Sequence, residues 1–320
     1  MKLRKLVKAY QTDPVSGWHK LRYSTRRNQR NLLRQINRRH GGTKLRRINA
    51  RRLLQWHAAW VDGTKVYAGH AFVKKLRTVF GFGLTILEDK QCRRIRVVMN
   101  SLRFEAGKKR KSRLTARQAV AIMRAAHARS WHSIALAQAF QFELMLRQKD
   151  IIGEWVPKRE AGESGTFYRG KKWIRGLQGS EIDQNMVLRH TTSKRQKDIE
   201  ADLMECPMVM AELRRLIGTF PNGALVVNEH NGRPYTDYEF RRKWRICAVT
   251  AGVPDAVFNM DTRAGAISEA FDGEADPDFI RETSAHSDLA TTQGYNRGSH
   301  RRKRSAVMRK RVQSRLTEAA

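Results

Sequence analysis

The 320-residue chain carries 64 Lys and Arg against 30 Asp and Glu, a net charge of +34, which makes nucleic acid the expected partner ahead of a membrane surface. Its hydrophobic content of 40% is enough for folded cores and excludes a disordered polycation, and the length suits two domains at roughly 100–200 residues apiece. No apolar run approaches the roughly 18–20 residues that span a bilayer, and the basic start MKLRKLVKAY lacks a secretory apolar stretch, so no membrane contact and a cytoplasmic location are expected.

Charge is unevenly spread. Residues 1–115 hold 31 Lys and Arg against 5 acids, residues 116–300 hold 25 against 24, and residues 301–320 hold 8 against 1. A nearly neutral block between a basic front and a basic tail suggests that one module grips phosphates while the other carries pockets and chemistry. Cys92, Cys206 and Cys247 are far apart and pair with no His at metal-ligand spacing, so buried inert thiols are expected, with no disulfide and no zinc.

In chain order, residues 1–20 read as a basic extension. A helix is predicted over 24–40, capped by Ser24 and stopped at Gly41-Gly42, with Leu32, Leu33 and Ile36 as an apolar stripe on an Arg-rich rod. Further helices are predicted over 48–60, 69–80 and 88–104, with Gly81-Phe82-Gly83 ending the third. The expected DNA-binding cations are Arg26, Arg27, Arg30 and Arg34 on the rod, Lys74 and Lys75, and Lys109 and Arg110 in a basic linker. Most of the seven Trp read as core, with Trp18 and Trp173 as candidates for DNA contact.

Beyond the linker, Thr115 and Gln118 stand at capping-box spacing, and residues 131–147 predict a long, deeply buried helix. Strands are predicted over 173–177 and 186–192, and helices over 207–218, 237–251 and 261–271. Asp276-Pro277 opens another helix, and a basic helix closes the chain. Gly165 to Lys172 has the spacing of a phosphate-binding loop, but Lys stands where Ser or Thr is needed and no apolar strand precedes it, so no nucleotide is expected.

The segment Ala285-His286-Ser287-Asp288-Leu289-Ala290-Thr291-Thr292-Gln293-Gly294-Tyr295 resembles the closing motif of the tyrosine recombinase (phage integrase) family, in which a His-Ser turn precedes a Thr-Thr pair and the nucleophilic Tyr. Upstream, Met260-Asp261-Thr262-Arg263 resembles the family's His-x-x-Arg, with Arg263 matching and Met260 departing from it. Leu146-Arg147-Gln148-Lys149-Asp150 resembles the first-arginine motif, with Arg147 and Asp150 in the matching places. Thr191-Thr192-Ser193-Lys194-Arg195-Gln196-Lys197 resembles the lysine hairpin, with Lys194 preferred and Lys197 the fallback. The long interval from Arg147 to Lys194 implies an insertion near 156–172.

The resemblance implies a mainly α fold with a small antiparallel β-sheet (α+β). A helical, SAM-like core-DNA-binding domain over 21–110 would precede a mixed α/β catalytic domain over 112–298 and a basic tail over 299–320. It further implies double-stranded DNA at attachment sites as the partner, a homotetramer on that DNA, and no cofactor, metal or nucleotide. Two guanidiniums, Arg147 and Arg263, suit the charge that develops on a phosphodiester. Tyr295 suits a covalent 3′-phosphotyrosyl intermediate, and Lys194 suits protonation of the departing 5′-oxygen. His286 would bind the phosphate or orient Tyr295. With Met260 unable to take a proton, Asp261, His286 or water would assist the phenol. A binding-only relative and a DNA-relaxing enzyme of the same chemistry are the rivals.

Overall fold

Apolar residues three and four apart give each amino-terminal helix one stripe to bury. In the computed structural model, which describes residues 1–63, 65–108, 110–216, 223–297 and 300–318, these stripes meet in a core of their own within the unit Met1–Arg110. Its helices are α1 (Leu3–Thr12), α2 (Tyr23–His40), α3 (Ala50–Val61), α4 (Val66–Thr85) and α5 (Lys90–Ser101). Asn49 and Asp89 cap α3 and α5, accepting from the backbone N–H of Arg52 and Cys92.

Three expectations change here. The start of the chain is not a loose basic extension, because α1 buries Leu3, Leu6, Val7 and Tyr10 in the core. Its cations occupy the other face, so composition alone hid the stripe. Gly81 and Gly83 do not end a helix but lie inside α4, where a Cβ on Gly83 would stand 2.4 Å from Cys92 Sγ, so this glycine permits the close approach of α5. Trp18 is buried against the edge of Tyr10 and does not face solvent.

The unit Lys111–Ala320 is built around α7 (His132–Glu143), a helix buried on all sides. It packs against α6 (Ala116–His127), α9 (Pro207–Leu213), α10 (Asp237–Thr250) and α11 (Asp261–Asp272). The capping box of Thr115 and Gln118 opens α6 as expected, and Thr236 with Glu239 forms another at α10. The expected helix over 131–147 stops at Glu143. Met145, at φ +52°, turns the chain, and Arg147 becomes the cap of a separate short helix, α8 (Gln148–Ile152).

The β-structure is all antiparallel. It forms a three-stranded sheet in the order β1 (Glu154–Pro157), β3 (Lys171–Ile174), β2 (Phe167–Tyr168), and two hairpins, β4 (Val187–Thr191) with β5 (Asp198–Asp202) and β6 (Val227–Asn228) with β7 (Arg233–Pro234). The stretch with phosphate-loop spacing is the β2–β3 turn, with Arg169 and Gly170 both at positive φ as a tight hairpin demands. Trp173 is buried and donates to the carbonyl of Ile152 at 2.7 Å, which removes it from the DNA candidates. Helices α12 (Pro277–Thr283), α13 (Leu289–Tyr295) and α14 (His300–Glu318) complete the chain, and no helix among the described residues is long and apolar enough to cross a membrane.

Helix α11 buries every residue from Asp261 to Ser268. Small side chains make that possible, and a Cβ on Gly265 would stand 1.8 Å from the Leu114 carbonyl oxygen. Glycine to alanine inside a helix ordinarily stabilises by about 1 kcal/mol. Here the obstacle is backbone, and overpacking of that kind costs about 1–3 kcal/mol. Gly265→Ala is therefore expected to lower the urea midpoint of the chain, and an unchanged or raised midpoint would show that the 112–114 segment yields freely.

Candidate active site

Arg263 lies on the first turn of α11 and is only 5% exposed. Its Nη1 donates to the carbonyl of Met145 and its Nη2 to the carbonyl of Ser284. Both acceptors belong to left-handed turns, Met145 itself at φ +52° and Ala285, next to Ser284, at φ +48°. A non-glycine residue there costs about 1–2 kcal/mol, so the backbone is bent twice around one side chain. Nε of Arg263 is buried with no hydrogen-bond partner. Burial first, and then the neighbouring Arg147, pull Arg263 below the ordinary guanidinium pKa, with Tyr295 and Asp150 opposing.

Arg147 is positioned by Asp150, which is fully buried. Oδ2 of Asp150 accepts the Arg147 backbone N–H at 2.9 Å, while Oδ1 accepts the backbone N–H and hydroxyl of Ser193 at 2.7 and 2.6 Å. One carboxylate thus ties the start of α8 to the β4–β5 turn. Nη1 of Arg147 is buried without a hydrogen-bond partner, since the Asp150 oxygen is 3.9 Å away.

Lys194 follows Ser193 on that turn with an exposed side chain. Partial desolvation, then the positive fields of Arg147, Arg195 and Arg263, hold its ammonium below the usual lysine pKa. Lys197, the fallback, donates instead to the carbonyl of His286 at 3.2 Å.

His286 is 2% exposed and sits between α12 and α13. Its Nδ1 shares hydrogen bonds with the hydroxyls of Ser284 at 2.9 Å and Thr292 at 3.0 Å, and its Nε2 is buried without a partner. Burial, then Arg263 and Arg147, push its pKa down to about 3. Tyr295 ends α13, a helix capped by Asp288 through the Thr291 N–H at 2.7 Å. The Tyr295 ring lies 5.0 Å from the His286 ring and 5.8 Å from the Arg263 guanidinium.

The structure therefore gathers Arg147, Asp150, Lys194, Arg263, His286 and Tyr295, which are spread over about half the chain. Met260 does not join them, being 66% exposed at the cap of α11. Asp261 is buried and engaged, accepting from Phe258 N at 2.9 Å and from Arg297 Nη1 at 2.7 Å. Ser193, Ser284 and Thr292 were not singled out from sequence as site residues. Ser193 directly precedes Lys194, while Ser284 and Thr292 stand two and six residues from His286, and the available signal was that Ser193 and Thr292 lie inside the motifs themselves.

Among the expected DNA-binding cations, Arg27, Arg30 and Arg34 are exposed on α2, opposite the buried Leu33 and Ile36, and Arg26 is half-buried. Lys74 is exposed and Arg110 half-buried. Lys75 is a correction. It is buried above the Tyr10 ring, and desolvation followed by Lys74 lowers its pKa to about 8. Lys109 lies outside the described residues.

The depressed pKa of His286 has a consequence for stability. An unfolded His titrates near 6.5. Between that value and about 3, the unfolded chain binds a proton that the folded site refuses. Stability is complete above the unfolded value and falls as pH drops, by about 1.4 kcal/mol per unit for one such group. His286→Gln is expected to flatten the acid limb of urea stability between about pH 6.5 and about pH 4. An identical pH dependence in the variant would mean that His286 is protonated readily in the folded protein.

No family model and no curated protein matches this chain. Its likeness to solved structures is clear. It covers 92% of this chain and 95% of a lambda integrase(75-356) dimer bound to a COC′ core site, with a TM-score of 0.70 and 14% identity. For a lambda integrase tetramer bound to a Holliday junction the TM-score is 0.70 at 14% identity, covering 94% of this chain and 79% of that one. For the Tn1549 transposon integrase in complex with circular intermediate DNA it is 0.68 at 11% identity, covering 96% and 99%. The protein has the tyrosine-recombinase (phage-integrase) fold that its closing motif resembles.

Proposed function

We propose that this protein breaks and rejoins duplex DNA as a site-specific tyrosine recombinase or integrase, with Tyr295 as the nucleophile. One observation carries the reading. Arg147 Nη1, Arg263 Nε and His286 Nε2 are all buried without partners, in one neighbourhood with Tyr295. Leaving such a group unpaired costs about 1–3 kcal/mol, and a single phosphate, rich in acceptor oxygens, would answer all three.

The chemistry then follows from the side chains. The Tyr295 phenolate oxygen attacks phosphorus, a 3′-phosphotyrosyl bond forms, and the bond to the 5′-oxygen breaks. Arg147 and Arg263 neutralise the non-bridging oxygens. Lys194 gives its proton to the 5′-oxygen, and its depressed pKa suits that task. With Nδ1 accepting from a neighbouring hydroxyl, His286 carries its proton on Nε2 and donates to phosphate. A His held near pKa 3 is a poor base and Asp261 is occupied by Arg297, so the phenol proton leaves to water. Reversal with a new 5′-hydroxyl rejoins strands without a nucleotide cofactor.

Net charge and the exposed arginines of α2 suit the grip on duplex phosphates. The likeness to a lambda integrase tetramer on a Holliday junction supports four protomers acting on two attachment sites. A phage or mobile element is the expected source of such an enzyme. Exposed Met260, at the position of the usual His, favours a second reading, a relative that binds sites with weak or absent cleavage.

A nicked suicide duplex bearing the element's own attachment site separates the readings. The expected result is a protease-sensitive adduct on a denaturing gel, abolished in Tyr295→Phe with DNA binding retained. Arg263→Lys and Arg147→Lys should each slow adduct formation roughly 100-fold, since a point charge does not replace a bidentate fork. Binding without an adduct, restored by Met260→His, would establish the second reading.

A further inference from the structure

One ion pair beside the site, between Arg297 and the buried Asp261, touches none of the reacting groups of that mechanism. Arg297 stands two residues beyond Tyr295 and turns back onto α11, where Nη1 meets Asp261 Oδ1 at 2.7 Å and also donates to the carbonyl of Ser112. Its backbone N–H donates to Ser268 Oγ at 2.8 Å. That same hydroxyl lies 3.1 Å from the Tyr295 carbonyl oxygen and 2.6 Å from the Ala264 carbonyl oxygen. Asp261 is fully buried, and its carbonyl accepts from Leu114 N at 3.2 Å. The backbone around Tyr295 is therefore pinned at two successive points to the helix that carries Arg263, and the segment 112–114 is drawn into the same junction.

Resting on the strand-transfer reading, we infer that Arg297, with Asp261 and Ser268, is a positioning set that seats Tyr295 against the phosphate-binding arginine. The reason is geometric. Among the described residues the Tyr295 phenol makes no hydrogen bond, so the place of its ring depends on the backbone that bears it. Helix α13 is two turns long and buries only Thr292, which is too little to hold its end alone. Arg297 and Ser268 supply the missing restraint. They touch no reacting atom, so their contribution should appear in the rate of attack and not in the affinity for duplex. An ångström-scale displacement of a reacting group costs roughly 100-fold in rate.

The test uses the full chain and the nicked attachment-site duplex at saturation. Arg297→Ala and Ser268→Ala should each slow adduct formation roughly 100-fold while duplex affinity stays within about twofold and unfolding stays cooperative. Arg297→Lys, which keeps a cation for Asp261, should recover part of the rate. Ser268→Ala leaves the buried ion pair intact and so keeps the test meaningful where Arg297→Ala fails to fold. A wild-type rate in both alanine variants overturns the inference. So does a parallel loss of DNA binding and cooperative unfolding in Ser268→Ala, which would mark a structural role alone. No adduct from the wild-type protein removes the strand-transfer reading and this inference with it, whereas a normal wild-type adduct with unaffected variants removes only the inference.

Discussion

A guanidinium buried in protein and bonded to two backbone carbonyls is the constraint on which the second unit turns. Arg263 has no carboxylate partner among the described residues, and it shares its surroundings with Arg147 and Lys194. Taking a cation out of water costs several kcal/mol unless something nearby compensates. The protein compensates in part, with carbonyl dipoles and the buried Asp150 carboxylate, and the remaining positive potential is available to an anion. Burial first, and then that field, depress the pKa values of His286 and Lys194.

The surrounding fold reads as a set of devices for keeping this cation where it is. Met145 and Ala285 accept left-handed backbone so that carbonyls point inward. Gln141 of α7 and Asn259 exchange a pair of amide hydrogen bonds, fixing the turn that leads into α11. Asp150 ties the Arg147 backbone to the β4–β5 turn, so the lysine loop moves with the first arginine. Helix α11 is buried from Asp261 to Ser268, around the arginine on its first turn, and the small residues Ala264, Gly265 and Ala266 allow that packing.

Much of this was legible in the sequence, for identifiable reasons. The capping box of α6, Asp276-Pro277 at α12 and the helical spacing of α2 and α10 are local and read correctly, but α2 starts at Tyr23, so that Arg22 and not the expected Ser24 stands at its cap. The motif residues from Arg147 to Tyr295 read as one constellation because their spacing resembles a known pattern. What stayed hidden was tertiary. A buried stripe in α1 is masked by three cations among ten residues, and the glycines of α4 look like stops until α5 is laid against them. Lys75 looks like any surface cation until its side chain turns inward over Tyr10. Arg297 has no local feature to separate it from the basic tail that follows, since its meaning lies in Asp261, 36 residues earlier in the chain.

These cases show why counting cations is a weak guide to function in a chain with 64 of them. In the proposed grip on DNA the exposed arginines of α2 would act through their summed field, so any one could be replaced at small cost. Arg263 and Arg147 are held by named partners and have nitrogens left over, the condition for orienting a bound anion. Arg297 also has a buried Nε without a hydrogen-bond partner, but its charge is answered within the protein by the buried Asp261 carboxylate. Helix α11 joins the last two kinds. It bears the arginine at its first turn and, five residues on, the serine that holds the Tyr295 backbone. The separation between the Arg263 guanidinium and the Tyr295 ring is thereby set by the rise of a single rigid helix, not by the long loops between their positions in the chain.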